Sequence, residues 1–376
     1  MNSVFTEIEK LSLEQPIEID TFNHDKYTVI TKGSSRTKTA YSFGVPIYNG
    51  QTNNIVDMKY VHRKSGSYHT GSSAKITIKN SVSMQNHHGY CDILLPGKIT
   101  KKTENTVSWS SQETQIDVTP TLNGMAFKAT CASMGRFSIT IKTDRIFESI
   151  RSNDKYFSIM REKFVPFITV SCIGILNDRG DVIAPCEIHN RKVNEKEYVL
   201  SFTSPSKSRK IIFFEINMQE TKLFQDTTVE SRHPKMNNAF GGTAFLGKTD
   251  TFGEQWLYSR IELSNLPHLQ NQRVIKAILH IPKLNGSKSL LTIHRIAARF
   301  CSFGSNWENK ISITNPLSES VSSNGYYHLD ITNLFRDIKK KSENYVIRAT
   351  DLNNKPAVVS TGDSFFKPQI LEVKFK

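Results

Sequence analysis

The sequence predicts an all-β protein: two jelly-roll-like β-sandwich domains with one or two short helices. Three observations lead there. Short runs of β-branched and aromatic residues recur, as in AKITI (74–78), FSITI (137–141), FITVS (167–171) and KIIFF (210–214). Turn clusters separate them, at Asn49-Gly50, Gly66, Asn123-Gly124, Gly135 and Asp178-Arg179-Gly180-Asp181. That spacing suits sandwiches rather than alternating βαβ units. Long amphipathic helical periods are few. At 376 residues the chain exceeds one average domain, and each half is large enough to bury a core of its own.

Residues 1–24 read as an N-terminal arm. Val4, Phe5, Ile8 and Leu11 fall at helical spacing until Pro16 ends the pattern, so two outcomes are open: a short helix docked onto the body or a neighbouring subunit, or a frayed terminus. Residues 25–220 form the first expected domain. Within it, IGIL (173–176) followed by Asn177-Asp178-Arg179-Gly180 predicts a hairpin, and residues 145–161 carry a moderately helical pattern. A linker is expected across 218–224; it is short and not Gly/Ser-rich.

The second expected domain, 221–376, opens with DTTVESRHPKMNNAFGG (226–242). Gly241-Gly242 permits positive φ and close backbone approach, and a second turn follows at Thr251-Phe252-Gly253-Glu254. From Gln255 to Leu263 the chain alternates. Leu257, Ile261 and Leu263 share one face; Trp256, Tyr258, Arg260 and Glu262 share the other. Pro267 then stops the ladder. Further on, Ile331, Leu334, Phe335 and Ile338 predict a helix capped by Asp330 or Thr332, with Lys339-Lys340-Lys341 complementing its C-terminal dipole.

Lys and Arg total 49 against 35 Asp and Glu, a net charge of +14 that favours acidic partners. No nucleic-acid fold signature accompanies the charge, so nucleic acid is kept only as a minor alternative. No basic, apolar, small-residue leader opens the chain and no apolar run reaches a transmembrane length, so cytoplasmic synthesis without membrane insertion is expected. Five dispersed cysteines (Cys91, Cys131, Cys172, Cys186, Cys301) form no CxxC pair and read as small buried hydrophobes rather than a disulfide framework. His87, His88 and Cys91, with His62 and His69 upstream, resemble a metal site only superficially, because adjacent strand residues point to opposite faces; no metal is expected. His294 reads as a structural histidine on a strand. Nucleophile elbow, P-loop and dinucleotide fingerprint are absent, so no cofactor and no catalytic set are implied.

The ordered series in 221–376 resembles the DNRLRE-type β-sandwich domain of bacterial surface and polysaccharide-associated proteins. The carrying pieces are the Asp226 strand and its Asn-x-x-Gly turn, the strand ending in Glu262-Leu263-Ser264-Asn265-Leu266-Pro267, and VIKAILHI (274–281) with core residues Ala277 and Leu279. They continue through Trp307-Glu308 to Asn315-Pro316, Leu329-Asp330-Ile331-Thr332 and the closing strand PQILEVKF (368–375). Trp256 departs from a usual basic residue of the pattern, and Ile313 from a second Trp. Some relatives of that family are alginate-binding carbohydrate modules, so the resemblance implies non-catalytic recognition of an acidic polysaccharide or cell-surface glycan. Trp256, Tyr258 and Arg260 are the expected ligand-binding residues, aromatics stacking on sugar rings and Arg pairing with carboxylates; the alternative for this face is that it packs under the N-terminal domain. The alternative is a self-assembling structural subunit of a spore coat, fibre or phage-like particle, released to the exterior by lysis.

Overall fold

The computed structural model describes residues 4–11, 18–19, 27–33, 36–47, 60–62, 68–70, 74–103, 105–121, 124–132, 135–204, 210–218, 223–296, 298–335, 342–352 and 355–376. The turns expected at Asn49-Gly50 and Gly66, most of the expected linker, and Ile338 with Lys339–Lys341 lie outside them. Strands take 57% and helix 6%, which makes the protein all-β. Every strand pairing among the described residues is antiparallel, and the chain divides into two compact units: 49–220, and 2–48 joined with 221–376.

The first unit packs a nine-stranded sheet against an eight-stranded one. Strict period-two alternation builds its core. Gly124–Cys131 and Lys210–Asn217 send Phe127 and Phe214 inward from one sheet, and Arg136–Thr143 and Glu197–Thr203 send Phe137 and Phe202 from the other. The rings form a ladder: Phe127–Phe214 stacked at 4.7 Å, Phe214–Phe202 tilted at 4.2 Å and Phe202–Phe137 stacked at 4.9 Å between centroids.

Residues 145–161 are not helical: they contain the strands Ser149–Ser152 and Tyr156–Glu162, paired with each other. Asn153 sets the turn, its Oδ1 accepting from Lys155 N at 2.8 Å and Tyr156 N at 3.1 Å. Pairing with Val165–Leu176 then overrides the helical spacing. The cysteines are not all unpaired, as their spacing had suggested. Cys172 and Cys186 are disulfide-bonded, because the hairpin between them folds back and brings their Cα atoms to 6.2 Å. That hairpin turns at 177–181, where Asn177 Oδ1 accepts from Arg179 N (3.0 Å) and Asp181 N (2.9 Å). Cys91 and Cys131 are free and buried; Cys301 is free and exposed.

The second unit pairs a six-stranded sheet with a seven-stranded one, Phe224–Glu230 adding to the latter along Gly253–Glu262. Residues 25–48, expected in the first domain, belong here instead. Lys38–Phe43 pairs with the closing strand Ile370–Phe375, from Lys38 opposite Phe375 to Phe43 opposite Ile370. The two ends of the chain thus share one sheet. The arm contributes the α-helix Val4–Leu11, which buries Val4, Ile8 and Leu11 and accepts a hydrogen bond from Tyr326 Oη at Glu7 Oε2. Ala277 and Leu279 are core residues, as expected. The expected helix after Asp330 is, among the described residues, a single 3₁₀ turn, Thr332–Leu334, with Asp330 Oδ1 accepting from Thr332 N at 2.9 Å.

Candidate functional site: an aromatic–cation cluster on the outer sheet face

The strand Gly253–Glu262 separates two apolar clusters. Leu257 and Ile261 face the sandwich core, whereas Trp256 and Tyr258 face outward and join Val229, Val346, Ile296 and Phe300. Its tight entry depends on Gly253, at φ +67°, where an added Cβ would fall 2.2 Å from Ser231 Oγ. Gly241 and Gly242 do not adopt the positive φ expected of them. Their carbonyls serve as acceptors instead, for Thr361 Oγ1 at 2.7 Å and Thr361 N at 3.2 Å.

The outward aromatics do not present open faces, which corrects the expectation for Trp256 and Tyr258. Trp256 is 7% exposed and Tyr258 1%, because Ile296, Phe300, Trp307, Ile311 and Ile313 of the same unit pack over them. Tyr258 is fixed from both sides: its Oη lies 3.2 Å from the carbonyl of Ile311 and 3.2 Å from that residue's N–H. Burial pushes its phenol up to about 12. Trp256 Nε1 donates to Glu254 Oε1 at 2.6 Å.

The covering segment is held by polar side chains that the alternation pattern does not reveal. Asn237 Nδ2 donates to the carbonyls of Ser302 and Ser305, each at 2.7 Å. Asn238 Nδ2 donates to Glu230 Oε2 at 3.3 Å, and that fully buried carboxylate also accepts from Gln255 Nε2 at 2.9 Å. His233 Nδ1 lies 2.8 Å from its other oxygen. Asn306 and Asn309 close a reciprocal turn, each accepting the other's backbone N–H, at 2.8 and 3.1 Å. This turn carries the half-buried Trp307 and the exposed Lys310.

The result is a layered arrangement. Trp307 meets Trp256 edge-on at 5.4 Å. Lys310 Nζ stands 4.0 Å from the Trp307 centroid and 5.1 Å from that of Trp256. The Arg348 guanidinium lies 5.2 Å from the Trp256 ring. Cations here gain from the ring quadrupoles while keeping a solvent side. Arg260, the third expected residue, is half-buried and already engaged. Its Nε is 2.6 Å from Glu262 Oε1, an ion pair without hydrogen-bond alignment, and its Nη2 donates to Gln225 Oε1.

Sequence reasoning therefore found the strand but missed Lys310 and Arg348. Trp307 was visible only as a piece of a family-like series. The other candidates resolve into separate places. His294 is buried and satisfied, Nδ1 donating to Thr314 O at 2.8 Å and Nε2 lying 3.0 Å from Thr292 Oγ1. Cys91 points into the first core, where burial pushes its thiol upward, while His87 is exposed and His88 half-buried on the adjoining turn. The side chains of His62 and His69 lie outside the described residues. No cluster of three metal-ligating side chains occurs among the described residues. No protein-family model matches the chain, and no curated protein matches it significantly.

Proposed function

We propose that this chain is a non-catalytic binding protein for an acidic polysaccharide or cell-surface glycan, engaged through the Trp307, Lys310 and Arg348 rim of the second unit. The observation that carries this reading is Lys310 Nζ at 4.0 Å from the Trp307 ring beside Arg348 over Trp256. It couples a half-open aromatic edge to two cations, the combination that a uronate residue needs for its ring face and its carboxylate. The net charge of +14 and the resemblance of 221–376 to DNRLRE-type sandwiches, some of which bind alginate, support the same ligand class. The disulfide supports a destination outside a reducing cytosol. Trp256 and Tyr258 act here as the packed base of the site rather than as its contact surface.

Titration with alginate oligomers and with a neutral glucan tests the reading. Acidic oligomers bind and the glucan does not. Trp307→Ala weakens binding by on the order of 1 kcal/mol, as an anchoring aromatic does. Lys310→Ala costs about 0.5–1 kcal/mol, an effect that shrinks as salt rises. Absence of binding to any acidic oligomer, combined with discrete high-order particles of the purified chain, would replace this reading with the structural-subunit alternative.

A further inference from the structure

The outer face of the first unit's nine-stranded sheet carries charge that edge protection does not explain. Its last four strands, in order, are Gly124–Cys131, Thr114–Pro120, Val107–Ser110 and the edge strand Lys98–Lys102. Val107, Trp109, Ile116, Val118, Phe127 and Ala129 face the core. Register then places two rows on the opposite side. One runs Lys101, Ser108, Asp117, Lys128; the next runs Lys98, Ser110, Gln115, Thr130.

Lysines on an edge strand commonly serve to block edge-to-edge pairing, which accounts for Lys98 and Lys101. Lys128 stands three strands further in, where no edge exists to protect. It is exposed and lies directly across from Asp117, yet no ion pair joins the two among the described residues. The Asp117 carboxylate accepts instead from Gln115 Nε2 at 3.2 Å. Lys98 and Lys101 likewise have no ion pair among the described residues. Between the cations lies a hydroxyl patch, with Thr100 Oγ1 and Ser110 Oγ 3.1 Å apart. The exposed large aromatics Tyr90, Phe164 and Phe366 all lie on other segments.

We propose that this face is a second interaction surface, taking the carboxylates of an acidic polysaccharide laid flat across the four strands. Three lysines against one engaged aspartate give the charge complementarity. Three strand steps of about 4.8 Å separate Lys101 from Lys128, so the cations reach successive acidic groups of an extended polymer rather than one small ion. The hydroxyls and the Gln115 amide supply neutral partners for sugar hydroxyls. Single-stranded nucleic acid is disfavoured because the face offers no aromatic platform for bases. The inference rests on the ligand class proposed above but not on the Trp307 and Lys310 rim.

The test uses the full chain with Lys98→Glu/Lys101→Glu/Lys128→Glu, and Lys128→Glu alone, titrated with alginate oligomers at low and moderate salt. The triple variant is expected to lose about tenfold or more in affinity at low salt, and the single variant about threefold, with both losses shrinking as charges are screened. Circular dichroism and melting temperature stay at the parent's values, since all three side chains are exposed. Parental affinity in the triple variant overturns this surface. If Trp307→Ala abolishes binding at the same time, the rim stands while the sheet face falls. The converse pattern, loss in the triple variant but not in Trp307→Ala, removes the rim and keeps the sheet face. Equal competition by single-stranded DNA of matched charge overturns the polysaccharide assignment.

Discussion

The two units each hold an aromatic cluster, and they seal it differently. In the first unit Phe127, Phe214, Phe202 and Phe137 lie between two sheets, so the alternation of four strands is enough to bury them. In the second unit Trp256 and Tyr258 lie on an outer sheet face and are buried because Ile296, Phe300, Trp307, Ile311 and Ile313 close over them. The first arrangement opens only with the whole sandwich. The second opens when a loop lets go, which costs less than global unfolding.

The largest expected effect sets the comparison's scale. Phe214→Ala removes a ring that touches both sheets and costs about 3–5 kcal/mol. Trp256→Ala, at the base of a loop-covered cluster, costs about 2–3 kcal/mol because the loop can partly collapse into the space. Denaturant unfolding of both variants, with hydrogen exchange to locate the damage, checks the order; a Trp256 cost equal to that of Phe214 would mean the loop is as rigid as the sandwich.

Replacing Cys172 and Cys186 together by Ser removes a crosslink spanning 14 residues, and the first unit loses about 3 kcal/mol. A melt under reducing conditions should reproduce the shift. Asn237→Ala strips the donor shared by Ser302 and Ser305 carbonyls and costs about 1–2 kcal/mol. Its signature is faster amide exchange across 300–313 with first-unit amides unchanged; uniform protection loss would show that the loop and its sheet open as one.

A pH dependence probes the second unit without mutation. His328 Nδ1 lies 2.7 Å from His280 Nδ1, and His280 Nε2 is 2.8 Å from Glu372 Oε2, with Tyr326 packed beside both rings. Burial, and then the neighbouring His280, hold His328 below its ordinary value of 6.5. The unfolded chain therefore binds a proton more readily than the folded one. This contribution is fully present above about 6.5 and is lost as pH falls through that value towards the folded one. Second-unit stability should decline on acidification across this window, and His328→Gln should flatten the decline. Arg260→Ala is the smallest effect, about 0–1 kcal/mol, because its partners Glu262 and Gln225 are themselves partly solvated. A loss of several kcal/mol would show that Arg260 is part of the loop's seat.

Strand periodicity was legible because it is local. Alternation along Gln255–Leu263 separated Leu257 and Ile261 from Trp256 and Tyr258 correctly, and the turn residues at Asn177 and Gly253 marked their hairpins. The helical reading of 145–161 failed because a neighbouring strand supplies pairing that no local pattern contains. The assignment of 25–48 failed for the same reason, since its partner lies more than three hundred residues away in sequence.

The sequence by itself determined the all-β class, the strand faces, the turn chemistry and the basic charge, since each follows from residue type and short-range spacing. Only the tertiary structure decided which strands become neighbours, that Cys172 meets Cys186, and that Trp256 lies beneath Trp307 and Lys310 rather than open to solvent. Those outcomes depend on which distant segments satisfy one another's hydrogen bonds and apolar faces, as Asn237 does for 302–305. That complementarity is a property of the assembled surfaces, not of any stretch read alone.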